Sequence, residues 1–121
     1  MTLDVGYIVG SIARQSINRK LAGSLVRLAA ERDPAGAEPL RFRELEIADL
    51  PFYNYDLDGN FPDVAERFKQ SIRASDALVI VTPEYNRSIP GVLKNAIDWA
   101  SRPYGDNAFA GKPVGIIGAS P

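Results

Sequence analysis

Thr82 to Trp99 reads Thr-Pro-Glu-Tyr-Asn-Arg-Ser-Ile-Pro-Gly-Val-Leu-Lys-Asn-Ala-Ile-Asp-Trp, and its residue types suit the gripping of a flat ligand. An apolar strand leads into it, a proline-stiffened loop follows, and a helix begins directly afterwards. At the carboxyl edge of a parallel sheet, exposed backbone N–H groups of such a loop can hydrogen-bond a planar heteroaromatic ring, with Pro83 and Tyr85 offering flat surfaces beside it. A second turn, Gly10-Ser11-Ile12-Ala13-Arg14-Gln15-Ser16-Ile17-Asn18, joins the first strand to the first helix. There the free N–H groups at the helix start, the hydroxyls of Ser11 and Ser16 and the charge of Arg14 suit a phosphate. Neither G-x-x-x-x-G-K-[ST] nor G-x-G-x-x-G occurs, so neither a nucleoside triphosphate nor a dinucleotide fingerprint is offered. A phosphate turn paired with a ring-binding loop suggests flavin mononucleotide, FMN.

Each turn also has a plainer reading. Ser16 as an ordinary N-cap with Arg14 solvated accounts for the first. For the second, Glu84 is a solvated carboxylate, Tyr85 packs on a neighbouring loop and Asn86 closes a turn. The convergence of both turns on one sheet edge favours the ligand reading. Asn86-Arg87-Ser88 matches a glycosylation sequon, but no secretion signal accompanies it.

Composition narrows the chemistry further. The chain has neither cysteine nor histidine, which excludes disulfides, thiolate catalysis, imidazole general-base chemistry and ordinary zinc sites. Difficult chemistry must therefore come from a cofactor, with no side chain singled out as catalytic and no metal ligand. Fourteen basic and 15 acidic residues give a net charge of -1, no electrostatic reason to expect nucleic acid or an anionic membrane as partner. No stretch approaches the roughly 20 apolar residues of a spanning helix. The amino terminus has no signal-like run, so a cytoplasmic protein is expected. At 121 residues and 45% hydrophobic content, one domain with one core is expected over residues 1–121.

The elements that must position the two turns are legible in the pattern of apolar residues. Leu3 to Val9 is a short apolar run ending at Gly10, a strand buried on both faces. Ile17, Leu21, Leu25 and Leu28 or Ala29 then recur at helical spacing behind Ser16. Asp33-Pro34-Ala35-Gly36 connects to a second, more exposed strand marked by Leu40, Phe42, Leu45 and Ile47. Leu50 to Asp56 reads as a loop, but Phe52, Tyr53 and Tyr55 are too aromatic for open solvent, and it should be covered. Val64, Phe68 and Ile72 mark a second helix with Pro62 in its first turn and Asp63 and Glu66 near its positive end. Ala77 to Val81 is the most strand-like run and should lie centrally. A third helix carries Leu93, Ala96, Ile97 and Ala100 inward, and Val114 to Gly118 is the fourth strand. The order β-α-β-α-β-α-β folds through right-handed crossovers into a doubly wound parallel sheet. Val114 to Gly118 is apolar and uncharged, poor composition for an edge, so a further neighbour and a covering helix are expected beyond it.

These residues resemble a known family. The chain is similar to the NADPH-dependent FMN reductases of flavodoxin-like fold, particularly their chromate and quinone reductase branch. The similarity runs through the whole chain and is densest in Gly10 to Ala22, Thr82 to Arg102 and Ala110 to Pro113. It implies that Ser11, Arg14, Ser16, Ile17 and Asn18 bind the FMN phosphate, partly through backbone N–H groups. It also implies that Pro83, Glu84, Tyr85 and Asn86 line the isoalloxazine ring, and that Ser120 touches it from the next loop. Relatives usually carry the arginine of the phosphate turn one position earlier. They also normally continue with a glycine-rich loop, a helix, a fifth strand and a final helix, so the chain reads as the amino-terminal part of a flavodoxin-like domain lacking those elements. Homodimers or homotetramers are implied, with Phe52, Tyr53, Tyr55 and Trp99 packing in the contact.

The implied activity passes hydride from NADPH, or from NADH, through FMN to quinones, free flavin, azo compounds or chromate, all small-molecule acceptors. The alternative is a non-catalytic FMN-binding electron carrier of flavodoxin type, although such carriers are strongly acidic and this chain is near neutral. A phosphorylation-dependent receiver domain on the same fold would need acidic strand ends, where this chain has Gly10-Ser11 and Thr82-Pro83.

Overall fold

The computed structural model describes residues 1–32 and 38–121; the expected connection through Asp33 to Gly36 lies outside the described residues. Among the described residues there are four strands, β1 (Leu3–Val9), β2 (Leu40–Glu44), β3 (Ala77–Val81) and β4 (Val114–Ile117). Three α-helices of the described residues lie between them, α1 (Ile17–Glu31), α2 (Asp63–Arg73) and α3 (Gly91–Ser101). The strands pair in the order β2-β1-β3-β4, every pair parallel. Val5 lies opposite Ala77, and Leu78 opposite Val114. The sheet order reverses direction between β1 and β3, so the turns leaving these two strands open onto a common crevice. This is the flavodoxin-like, doubly wound α/β arrangement expected from the sequence.

Alternation along the central strands builds two layers. Ile8, Leu78 and Ile80 face α2 and α3 and join Ala65, Phe68, Ile72, Leu93, Ala96 and Trp99 in the larger core. Val9 and Val81 face the other way and pack with Ala22 of α1, flanked by Tyr7, Leu21 and Val79. The second strand ends at Glu44, earlier than its apolar pattern suggests; Ile47 lies beyond it yet is buried. Pro62 sits at the N-cap of α2 rather than inside its first turn.

Two expectations about apolar residues need correction. Trp99 is not available to an interface, being fully buried. Its indole N–H donates to Pro51 O at 2.6 Å, and Tyr53 and Phe61 meet it edge-on at 5.0 and 5.1 Å. Phe52 and Tyr55 are not covered but stand 90% and 72% exposed. By contrast, β4 is an edge of the described sheet with Val114, Ile116 and Ile117 all exposed, in keeping with the further neighbour expected beside it. No helix among the described residues is long and apolar enough to cross a membrane.

One buried cation escaped the sequence reading. Lys69 of α2 is fully buried, and its ammonium donates to Arg102 O at 2.5 Å, Asp106 O at 2.8 Å and Asp106 Oδ2 at 2.9 Å. Three donors meet three acceptors, so the loop after α3 is tied to α2. Replacing Lys69 with methionine keeps the stem but leaves Arg102 O without its donor and Asp106 O with only the longer bond from Arg73 Nη2. We expect it to lower unfolding free energy by roughly 2–4 kcal/mol, read as a drop in denaturant midpoint.

The carboxylates of this region predict an acid limb. Lys69 holds Asp106 below the usual carboxyl value of 3.8, and hydrogen bonds from Tyr53 and Arg102 do the same for Asp58. A carboxyl depressed in the folded state binds more protons unfolded than folded in that range. Its stabilisation is thus complete above about pH 5 and is lost as pH falls through the folded-state value. Thermal melts should fall below about pH 4, and the Asp58→Asn/Asp106→Asn double variant should show a flatter acid limb than wild type.

Candidate functional site

The sheet order places the β1–α1 turn beside the loop leaving β3, and the hydrogen bonds of each hold it in shape. Ser16 is the N-cap of α1, its Oγ accepting from Arg19 N at 3.2 Å. Lys20 N bonds Ser16 O. The N–H groups of Ile17 and Asn18 then have no acceptor within the helix, and both lie at its electropositive end. Ser11 Oγ accepts from Ala13 N at 3.3 Å, so both serine hydroxyls are held as acceptors while their protons stay free to be donated. Ser11 and Ser16 are nevertheless buried. Arg19 is drawn away from the turn, since its guanidinium grips Glu44 with two bonds of 2.8 and 3.0 Å.

Close approach of backbones sets the spacing between strands. A Cβ on Gly10 would lie 2.4 Å from Thr82 Oγ1 and 2.7 Å from Thr82 Cβ, so only glycine lets the end of β1 lie so near the end of β3. A Cβ on Gly118 would stand 2.2 Å from Thr82 O. After Thr82 the loop closes on itself, with Tyr85 N donating to Ser88 O at 2.9 Å and Ser88 N to Tyr85 O at 3.0 Å. Asn86 and Arg87 between them have φ of 53° and 63°, as a tight two-residue turn with both central residues left-handed requires. Tyr85 N–H is thereby committed internally. The N–H groups of Glu84, Asn86 and Arg87 take no protein acceptor among the described residues.

A cavity of about 410 Å³ lies between the two turns. Ser11, Ser16, Ile17 and Asn18 of the first turn line it together with Pro83, Glu84 and Tyr85 of the second and Ser120 after β4. Arg14 and Asn86, both expected here, are exposed and do not line it. Arg14 follows two exposed turn residues, and Asn86 sits at the tip of its turn. Ala13, Gln15, Ala119 and Pro121 line the cavity without having been singled out. The first two lie inside the motif already read; nothing in the sequence pointed to the last two, which reach the cavity only because β4 lies beside β3.

The cavity fits the two ends of a flavin nucleotide on its own terms. Free N–H groups and hydroxyl protons gather at the helix start, where an anion is favoured, and Pro83 and Tyr85 supply flat apolar surface opposite them. Comparison with known proteins points the same way. A family model described as NADPH-dependent FMN reductase matches residues 3–121. A 2-hydroxy-1,4-benzoquinone reductase from Burkholderia sp is 50% identical over 99% of this chain and 62% of its own length. A quinone reductase from Pseudomonas putida is 48% identical over 97% of this chain and 60% of its own. Among solved structures, FerB from Paracoccus denitrificans, a flavoenzyme NAD(P)H:(acceptor) oxidoreductase, superposes with a TM-score of 0.86 at 48% identity, covering 98% of this chain and 61% of that one. The chain thus spans about three fifths of the length of these relatives.

Proposed function

Because the chain belongs to the NADPH-dependent FMN reductase family, we propose that it holds FMN in the cavity between the β1–α1 turn and the loop after β3, and serves reduction of small acceptors by NADPH or NADH. The observation that carries this reading is the single cavity shared by Ser11, Ser16, Pro83, Glu84, Tyr85 and Ser120. When bound, FMN supplies the hydride chemistry between a reduced nicotinamide and the acceptor. Ser11 and Ser16 donate their hydroxyl protons to the phosphate, joined by the N–H groups of Ile17 and Asn18 at the positive end of α1. Pro83 and Tyr85 flank the ring, and the N–H group of Glu84 faces its polar edge, where a fixed donor favours developing negative charge. Arg14, exposed in the same turn, adds positive charge near the phosphate. Quinones are the first acceptors to try, since the relatives at 48–50% identity are named for them; free flavin, azo compounds and chromate follow.

Anaerobic absorption spectroscopy tests the reading. Added FMN should be retained by the protein, and its visible bands should bleach within seconds of NADPH addition and return with a quinone. Bands that are retained but never bleach would favour a non-catalytic carrier, and no retention would remove the cofactor claim.

We further propose a homodimer or a pair of dimers in the cytoplasm, where reduced nicotinamides are held. The support is the group of exposed aromatics Phe52, Tyr55 and Tyr104, the last 87% exposed beside Arg102. Light scattering that reports 13.2 kDa for this chain at micromolar concentration would overturn it.

A further inference from the structure

The Asn18 side chain is engaged with the protein's own backbone. It lies 1% exposed in the first turn of α1, and its amide meets one peptide group face to face. Nδ2 donates to Ala119 O at 3.1 Å, and Oδ1 accepts from Ala119 N at 2.9 Å, across 101 residues of chain. Both backbone groups of Ala119 are thereby satisfied by a side chain, as a strand neighbour would satisfy them. On its other side this segment is pressed against β3, where Gly118 comes so near Thr82 O that a Cβ would overlap it. The segment 118–120 is therefore held from two sides, by the strand that leads into the ring loop and by the helix whose start forms the phosphate turn.

We propose that Asn18 is a positioning residue: its side chain locks Ala119, and with it Ser120, against the phosphate turn, so that the two ends of the flavin site are set by one amide pair. Its backbone N–H remains free for the phosphate, but the side chain acts only through Ala119. The inference rests on the FMN reading and adds to it a division of labour. Ser16 acts on the phosphate end alone, whereas Asn18 acts on the site as a whole.

Comparing FMN with riboflavin, which has the ring but no phosphate, separates the two roles. Asn18→Ala is expected to weaken both ligands by the same factor, about 10-fold, leaving their affinity ratio unchanged, while Ser16→Ala should reduce the ratio. A loss confined to FMN would make the side chain a phosphate ligand and overturn the proposal, and so would unchanged affinity for both. Asn18→Leu, which keeps the side-chain volume, repeats the test if the alanine variant does not fold. Amide exchange in the wild-type protein needs no variant. The Ala119 N–H should exchange at least about 10-fold more slowly than the exposed amides of Asn86 and Arg87, and free exchange there overturns the clamp. If wild type binds neither flavin while Ala119 is protected, the cofactor reading fails and the amide pair stands.

Discussion

Ser16→Asp is expected to leave the fold within about 1 kcal/mol of wild type and to lower FMN affinity by about 100-fold or more. Aspartate is as good an N-cap as serine, and its carboxylate can accept from Arg19 N as Ser16 Oγ now does. Its charge also suits the positive end of α1. The same carboxylate stands where a phosphate would be bound. Two like charges about 4 Å apart repel by several kcal/mol at the effective dielectric of a partly buried site, of which about 2.7 kcal/mol is enough for a hundredfold loss. Riboflavin should be much less affected. Equilibrium titration by flavin fluorescence, alongside a denaturant melt, reads both quantities. A variant that keeps wild-type FMN affinity would show that the phosphate does not lie at this turn.

Gly10→Ala is expected to be strongly damaging, lowering stability by about 3 kcal/mol and the melting temperature by roughly 10 °C or more. The added carbon would sit 2.7 Å from Thr82 Cβ and 3.1 Å from Leu93 Cδ2. Thr82 Oγ1 can rotate away, but Thr82 Cβ moves only with its backbone, and that backbone is bonded to β4 through Thr82 N and Ile117 O at 3.0 Å. Relief would separate the ends of β1 and β3, which define the width of the cavity. The Gly10→Ala/Thr82→Gly double variant removes the obstructing carbon. It should therefore recover part of the loss, a non-additivity that a double-mutant cycle measures directly. Strict additivity would place the damage elsewhere.

Much of the fold was legible because its signals are local. The runs Leu3–Val9 and Ala77–Val81 are apolar throughout, as strands covered on both faces must be, and the structure places both centrally. Ser16 announced the start of α1 through its own hydroxyl. The cavity was half legible for the same reason: Ser11, Ser16, Ile17, Asn18, Pro83, Glu84 and Tyr85 belong to two contiguous motifs, and sheet topology brings the motifs together. Arg14 and Asn86 fell outside the lining because membership of a motif says nothing of which way a turn residue points. The aromatics were misjudged similarly. Hydrophobicity marks Trp99 and Phe52 alike, yet one is fully buried and the other exposed, according to whether a helix or a loop carries it past the core.

By itself the amino-acid sequence determined the element order, the parallel doubly wound class, the two turns that line the cavity and the lack of cysteine and histidine in these 121 residues, since all of these follow from residue type and near-neighbour spacing. Only the tertiary structure decided what depends on pairs distant along the chain. Lys69 reaches the loop at Arg102 and Asp106, the Asn18 amide closes on Ala119, and Thr82 lies against Gly10 and Gly118. The physical reason is that hydrogen bonding and close packing are short-ranged in space. A buried ammonium or amide must find its partners within about 3 Å, and only the folded chain determines which residues stand there.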